Sequence, residues 1–150
     1  MAQTLVSLYV HLVFSTKNRV EIIEPEVEPG LFAYIGGILN KNGSKLIAAG
    51  GMSEHVHLLT SISKNIALSE LVGDVKRDSS VWIKGRGTRY SSFHWQDGYG
   101  AFSVGHTQLD DVKRYIANQK EHHAAQSFKD ELRYFLNKYS VDFDEEYIWR

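Results

Sequence analysis

An α+β fold, an antiparallel sheet with packed helices, is what the sequence predicts, and three observations predict it. Short runs with strand character, over residues 5–14, Lys45–Met52 and His55–Ser61, are separated by segments whose apolar residues follow helical spacing. The second and third runs are joined by only Ser53-Glu54, short enough for an antiparallel hairpin. The order strand, helix, strand, strand, helix, strand, helix, helix sets that hairpin between two crossover helices. This is the ferredoxin-like pattern, with the first and third strands central. At 150 residues the chain makes a single domain over 1–150, a size that buries roughly 68–70% of the unfolded surface.

The elements follow in order. Val6, Leu8, Val10, Leu12 and Phe14 alternate with Ser7, Tyr9 and His11 in the first strand, which polar residues 15–18 end. A charged connection over 21–28 carries Pro25, and Pro29 suits a first helical turn. Leu31, Phe32, Ile35, Ile38 and Leu39 then keep helical spacing up to the stop signal Asn42-Gly43. Gly36 and Gly37 weaken that helix or admit another backbone. Gly50-Gly51 is expected to bend or bulge the second strand. Leu68, Leu71, Val75 and Trp82 define a second helix from about 68 toward 83, with Lys76 and Arg77 on its exposed side. Residues 85–92 form a Gly- and Arg-containing loop. Residues 93–95 and 101–104 read as strand pieces around the turn Gln96-Asp97-Gly98. Thr107 with Asp110 resembles a capping box for a helix bearing Leu109, Val112 and Ile116; Ser127 with Asp130 resembles another, before Leu132, Phe135, Leu136 and Tyr139. The tail Tyr147-Ile148-Trp149 is expected to dock on the body.

Composition excludes several classes. The absence of cysteine removes disulfide scaffolds, Cys-type zinc sites and thiol nucleophiles. No apolar run approaches a membrane span, and residues 1–18 lack the basic start and cleavage site of a signal peptide, so the cytoplasm is the expected compartment. The net charge is −1, but it is unevenly spread. Glu21, Glu24, Glu26 and Glu28 form one acidic block, and Asp142, Asp144, Glu145 and Glu146 another. Setting those eight acids aside leaves 17 − 10 = +7 for the rest. Lys76, Arg77, Lys84, Arg86 and Arg89 fall within fourteen residues, either a solvated helix face and loop or a basic surface.

The chemistry centres on Glu54-His55-Val56-His57-Leu58-Leu59. A strand turns alternate side chains to one face, so His55 and His57 project together, with Cα atoms about 6.6–6.8 Å apart. Two imidazoles on a rigid face can grip one metal ion, or be two half-buried polar residues. Downstream, Tyr115 and Gln119 stand four apart in a helical segment and share a face, with Cβ atoms about 5–6 Å apart. They are either an amphipathic edge or, read with the histidines, a candidate set. Two imidazole nitrogens and an amide oxygen can hold a divalent ion with positions left open, and a phenol beside that ion can act as nucleophile.

Five segments carry a resemblance: Val13-Phe14-Ser15-Thr16-Lys17, the strand from Glu54 to Leu59, Ser69-Glu70-Leu71-Val72, the run from Trp95 to Val104, and Tyr115-Ile116-x-Asn118-Gln119-x-Glu121-His122-His123. In that order they resemble the single-tyrosine HUH transposases, small enzymes that move insertion sequences as single-stranded DNA; Val56 stands at the bulky apolar position between the histidines. The resemblance implies that His55, His57 and Gln119 are metal ligands for Mg²⁺ or Mn²⁺, and that Tyr115 is the nucleophile, joined to a DNA 5′ phosphate with a 3′ hydroxyl left behind. The ligand set leaves zinc open. It also implies a hairpin-containing single-stranded DNA substrate and a homodimer in which Tyr115 of one chain can meet the histidines of the other. A basic surface drawn from Lys17, Lys76, Arg77, Lys84, Arg86 and Arg89 would follow the phosphates. Trp95, Tyr99 and Phe102 fit core packing better than base stacking. Glu54 is either a partner that orients an imidazole or a third oxygen donor. Glu121, His122 and His123 either steady the DNA or a helix–helix contact, or, for the neighbouring histidines, simply face solvent. Two other readings are a domesticated hairpin-binding relative without transposition and a metal-dependent phosphodiesterase with a water nucleophile.

Overall fold

The computed structural model of the chain describes residues 2–122 and 126–150. Strands β1 (Tyr9–Ser15), β2 (Lys45–Met52), β3 (His55–Ser61) and β4 (Gly100–Val104) form one antiparallel sheet in the order β2-β3-β1-β4. This is the ferredoxin-like order, with β1 and β3 central as the sequence predicts. Helices α1 (Glu28–Lys41) and α2 (Leu68–Lys84) are the crossovers; α3 (Leu109–Ala117), α4 (Gln119–His122) and α5 (Phe128–Lys138) follow β4. Among the described residues no helix is long and apolar enough to cross a membrane.

The two-residue alternation of β1 and β3 divides the molecule. Leu12, Phe14, Val56 and Leu58 are buried against Leu31, Ile35 and Leu39 of α1 and Leu71, Val72, Val75 and Ile83 of α2. The alternate residues, His11, Val13, His55, His57 and Leu59, take the opposite face. There Val13 and Phe102 meet Phe128, Leu132, Phe135 and Leu136 of the α5 stripe, and Leu59 and Val104 meet Ile116 of α3. All three histidines on this face are buried.

Several expected elements shift for identifiable reasons. β1 starts at Tyr9 rather than residue 5, because its neighbours run out there: Tyr9 pairs with Ser61 and Val104, the last residues of β3 and β4. Leu5, Val6 and Leu8 are exposed. Residues 93–95 contribute a single bridge, Trp95 to Thr16, rather than a strand. Thr107 does not cap α3; a 3-10 turn over His106–Gln108 leads into it, and Gln108 Oε1 instead accepts from the Gly105 N–H. The second expected cap is formed, with Ser127 Oγ accepting from the Asp130 N–H at 3.2 Å. The tail docks as expected: Ile148 and Trp149 pack against the α5 cluster. Buried Gln96 clamps the tail to the sheet, accepting from Ser15 N–H at 2.8 Å and donating to the Ile148 and Arg150 carbonyls.

Gly50 and Gly51 do not bulge β2; the irregularity lies between Leu46 and Ala48. Nor does a backbone approach Gly36 or Gly37 of α1. Gly50 matters for space. It pairs with His57, and a Cβ built on it would lie 2.4 Å from the Ile116 carbonyl oxygen. The bare backbone lets the end of α3 settle onto the sheet beside β3. We expect Gly50→Val to cost about 1–3 kcal/mol by overpacking, measured by denaturant unfolding. Gly37→Ala, with nothing within 4 Å of the added methyl, serves as the control and should be neutral or stabilising.

Candidate functional site

The site is built where β3, the α3–α4 junction and α5 converge. α3 does not run on through Gln119. It stops at Ala117, Asn118 takes φ −97° and ψ 18°, and α4 restarts at Gln119. Asn118 therefore ends the helix, and the break turns Gln119 inward: its side chain is buried, and Oε1 lies 3.2 Å from His55 Nε2. Tyr115, on the last turn of α3, sets its ring 5.8 Å from that of His57.

From α5 comes a residue the sequence reading missed. Glu131 is 0% exposed. Its Oε1 lies 2.7 Å from His57 Nε2 and 3.5 Å from His55 Nε2. Its Oε2 accepts from the Tyr115 hydroxyl and, at 3.3 Å, from Gln119 Nε2. A signal existed in the sequence: Glu131 is the one carboxylate within the apolar stripe Phe128, Leu132, Phe135, Leu136 that α5 turns to the core. A lone acid at such a position is buried only with partners.

The other ring nitrogens are fixed by neighbours. His55 Nδ1–H donates to Glu54 Oε1 at 2.7 Å, which leaves Nε2 facing Gln119 and Glu131. Glu54 thereby orients the His55 imidazole. His57 Nδ1 lies 2.7 Å from His11 Nε2. Burial, and then the neighbouring His57, push the His11 imidazole down to about 3, so His11 is neutral. When His57 Nε2 serves as a ligand, its ring proton sits on Nδ1 and His11 accepts it. Burial works against a charged His55, but its hydrogen bonds to Glu131 and Glu54 outweigh burial and hold its pKa above the ordinary value. For Tyr115, burial first and then the Glu131 carboxylate push the phenol up, while Gln119 works weakly against them. At rest the Tyr115 side chain is a protonated phenol.

The donor set fits a divalent ion. One ligand atom each from His55, His57 and Glu131 lie within 4.8 Å of one another, and all three residues are buried. The Gln119 amide oxygen adjoins them. A cleft of about 340 Å³, lined by Arg19, Glu21, Glu54, Phe128 and Lys129, opens beside this set; Phe128 packs on the His55 ring at 4.6 Å.

The structure thus gathers His55, His57, Tyr115 and Gln119 and adds Glu131, Glu54 and His11. It does not gather the basic residues. Lys76, Arg77 and Lys84 lie on α2, and Arg86 and Arg89 just beyond it, so this group belongs to the crossover that covers the opposite face of the sheet. Lys76 is half-buried rather than exposed, and its ammonium donates to the carbonyls of Gln96, Asp97 and Gly98 at 2.9, 3.2 and 2.5 Å. Arg77 pairs with Asp74 and Asp78, Arg89 with Glu24, and Arg86 stacks on Trp82 at 4.6 Å. Lys17 and Lys84 are exposed. Trp95 and Phe102 are core residues; Tyr99 is 38% exposed. Glu121 is exposed; His123 lies outside the described residues, and the His122 side chain is likewise not described.

Comparison with known proteins gives the family and the fold. The family profile described as "Transposase IS200 like" matches residues 4–119. The ISDra2 transposase TnpA of Deinococcus radiodurans is 25% identical over 119 residues, spanning 76% of this chain and 85% of that protein. A crystal structure of a candidate transposase from Deinococcus radiodurans R1 superposes with a TM-score of 0.62 at 24% identity, over 79% of this chain and 95% of that one. A REP-associated tyrosine transposase bound to a REP hairpin superposes with a TM-score of 0.57 at 12% identity, over 79% and 70%. These two show a shared fold.

The Glu54–His55 bond generates a test. Glu54→Ala leaves the His55 ring unoriented, and Mn²⁺ affinity measured by calorimetry should fall about 10–100-fold, with the far-UV circular dichroism unchanged.

Proposed function

The chain belongs to the IS200-like transposase family, and from that premise we propose that it cleaves and rejoins single-stranded DNA at hairpin-flanked element ends, with Tyr115 as nucleophile and a divalent metal, Mg²⁺ or Mn²⁺, as cofactor. The observation that carries the reading is the Tyr115 hydroxyl on one oxygen of the buried Glu131 carboxylate, whose other oxygen faces the His55–His57 pair. A tyrosine placed for packing alone has no reason to bring its polar end to a potential metal centre.

The step is a transesterification. The Tyr115 Oη–phosphorus bond forms as the bond from phosphorus to the 3′ oxygen of the preceding nucleotide breaks. The phenol loses one proton and the departing oxygen gains one, leaving a 3′ hydroxyl and a 5′ phosphate joined to Tyr115. The reverse exchange, with a different 3′ hydroxyl, rejoins strands without an external energy source. Glu131 Oε2 holds the hydroxyl in place before the attack, and its negative charge, with burial, keeps the phenol protonated until substrate arrives. His55, His57 and Gln119 would hold the ion, oriented by Glu54 and His11. When bound, such an ion supplies charge neutralisation at the phosphoryl oxygen and lowers the cost of an anionic nucleophile.

The substrate's path is proposed along the cleft beside Glu54, whose rim carries Arg19 and Lys129, rather than along α2. Within one chain Tyr115 stands over its own histidines; a homodimer that exchanges this helix would set it over a partner's. Mixed Tyr115→Phe and His57→Ala proteins distinguish these: recovered activity places the tyrosine in trans.

Incubation with single-stranded, hairpin-bearing flanking DNA and Mn²⁺, followed by a denaturing gel, tests the function. We expect a covalent protein–DNA adduct that is lost in Tyr115→Phe and on chelation, and that falls to background in His57→Ala. Cleavage surviving in Tyr115→Phe sinks the tyrosine mechanism in favour of a water nucleophile. Binding with no adduct from any substrate favours the domesticated relative.

A further inference from the structure

We infer that Glu131 is a charged ligand of the divalent ion, so that α5 equips the site to take up its metal before any DNA is present. The inference rests on the metal-assisted reading above and deepens it. Two neutral imidazoles and an amide oxygen carry no net charge, and such a set holds a hard ion well only once a DNA phosphate adds its own. Mg²⁺ and Mn²⁺ favour anionic oxygen donors. Glu131 provides one at the required place: Oε1 is 2.7 Å from His57 Nε2 and 3.5 Å from His55 Nε2.

The rest of the carboxylate is already committed in a compatible way. Oε2 takes the Tyr115 hydroxyl and the Gln119 amide, which leaves Oε1 as the oxygen turned to the imidazoles. One side chain thus touches both the ligand pair and the nucleophile.

The delivery of Glu131 is built into the C-terminal segment, beyond residues 4–119 that the family profile covers. Ser127 caps α5, and Phe128, Leu132, Phe135 and Leu136 seat it on the sheet. On its outer side Trp149 lies against Lys129 at 5.0 Å and Arg133 at 5.1 Å, and the Trp149 carbonyl accepts from Arg19 at 3.0 Å. The tail thereby ties α5 to the turn that follows β1.

The test is a calorimetric titration of the full-length protein with Mn²⁺ in the absence of DNA, on wild type, Glu131→Gln and the control Asp130→Asn. Wild type should bind one equivalent. Glu131→Gln, isosteric but uncharged, should bind roughly tenfold more weakly or worse, and Asp130→Asn, which removes an exposed acid of the same helix, should bind as wild type does. Circular dichroism and a thermal melt establish that each variant is folded. Should Glu131→Gln not fold, Glu131→Asp takes its place: it keeps the charge but withdraws it by one methylene, and should lose about threefold or more. Wild-type affinity in the Glu131 variant, or wild-type binding of Mn²⁺ only when DNA is added, overturns the inference while leaving the tyrosine reaction intact. A missing covalent adduct alongside normal Mn²⁺ binding does the opposite.

Discussion

A carboxylate removed from water costs several kcal/mol unless its oxygens are well bonded, and Glu131 is removed from water completely. The second face of the sheet is organised around meeting that cost. His57 bonds one oxygen, Tyr115 and Gln119 the other. These partners come from β3, from the end of α3 and from the start of α4, so the interaction fixes α5 and the α3–α4 junction against a strand more than fifty residues earlier in the chain. It also explains the break at Asn118: Gln119 reaches the carboxylate because the chain turns there.

The two faces of the sheet do different work. The face under α1 and α2 is a continuous apolar core, in which Leu12, Phe14, Val56 and Leu58 are buried almost completely. The opposite face carries two smaller apolar clusters and the histidines. A stiff, dry platform on one side allows a polar network on the other. Neutral His11, lodged among Phe102, Tyr115 and Phe135, illustrates the arrangement. Its surroundings suppress its charge, and that leaves it suited to accept the His57 proton. Packing and electrostatics here are one effect.

Segments that resemble the family divide between chemistry and structure. His55, His57, Tyr115 and Gln119 converge. Gln96, in the run from Trp95 to Val104, ties β1 to the tail, and Lys76 of α2 closes the same loop from the other side through three carbonyls. A lysine so engaged holds the loop rather than standing exposed on α2 beside Arg77.

The sequence by itself determined the strand order, the shared face of His55 and His57, and the candidate partnership with Tyr115 and Gln119. The shared faces follow from local periods, two residues in a strand and three to four in a helix; the strand order follows from the succession of elements, and the partnership from the resemblance of the five segments taken together. Only the tertiary structure decided that Glu131 joins them, that Gln119 arrives by a helix break, and that α2's cations lie across the sheet. These depend on contacts between elements far apart in the chain, which no local period records. Gly50 shows the same division. Its lack of a side chain is plain in the sequence, but its use became clear only once the Ile116 carbonyl was found resting on it.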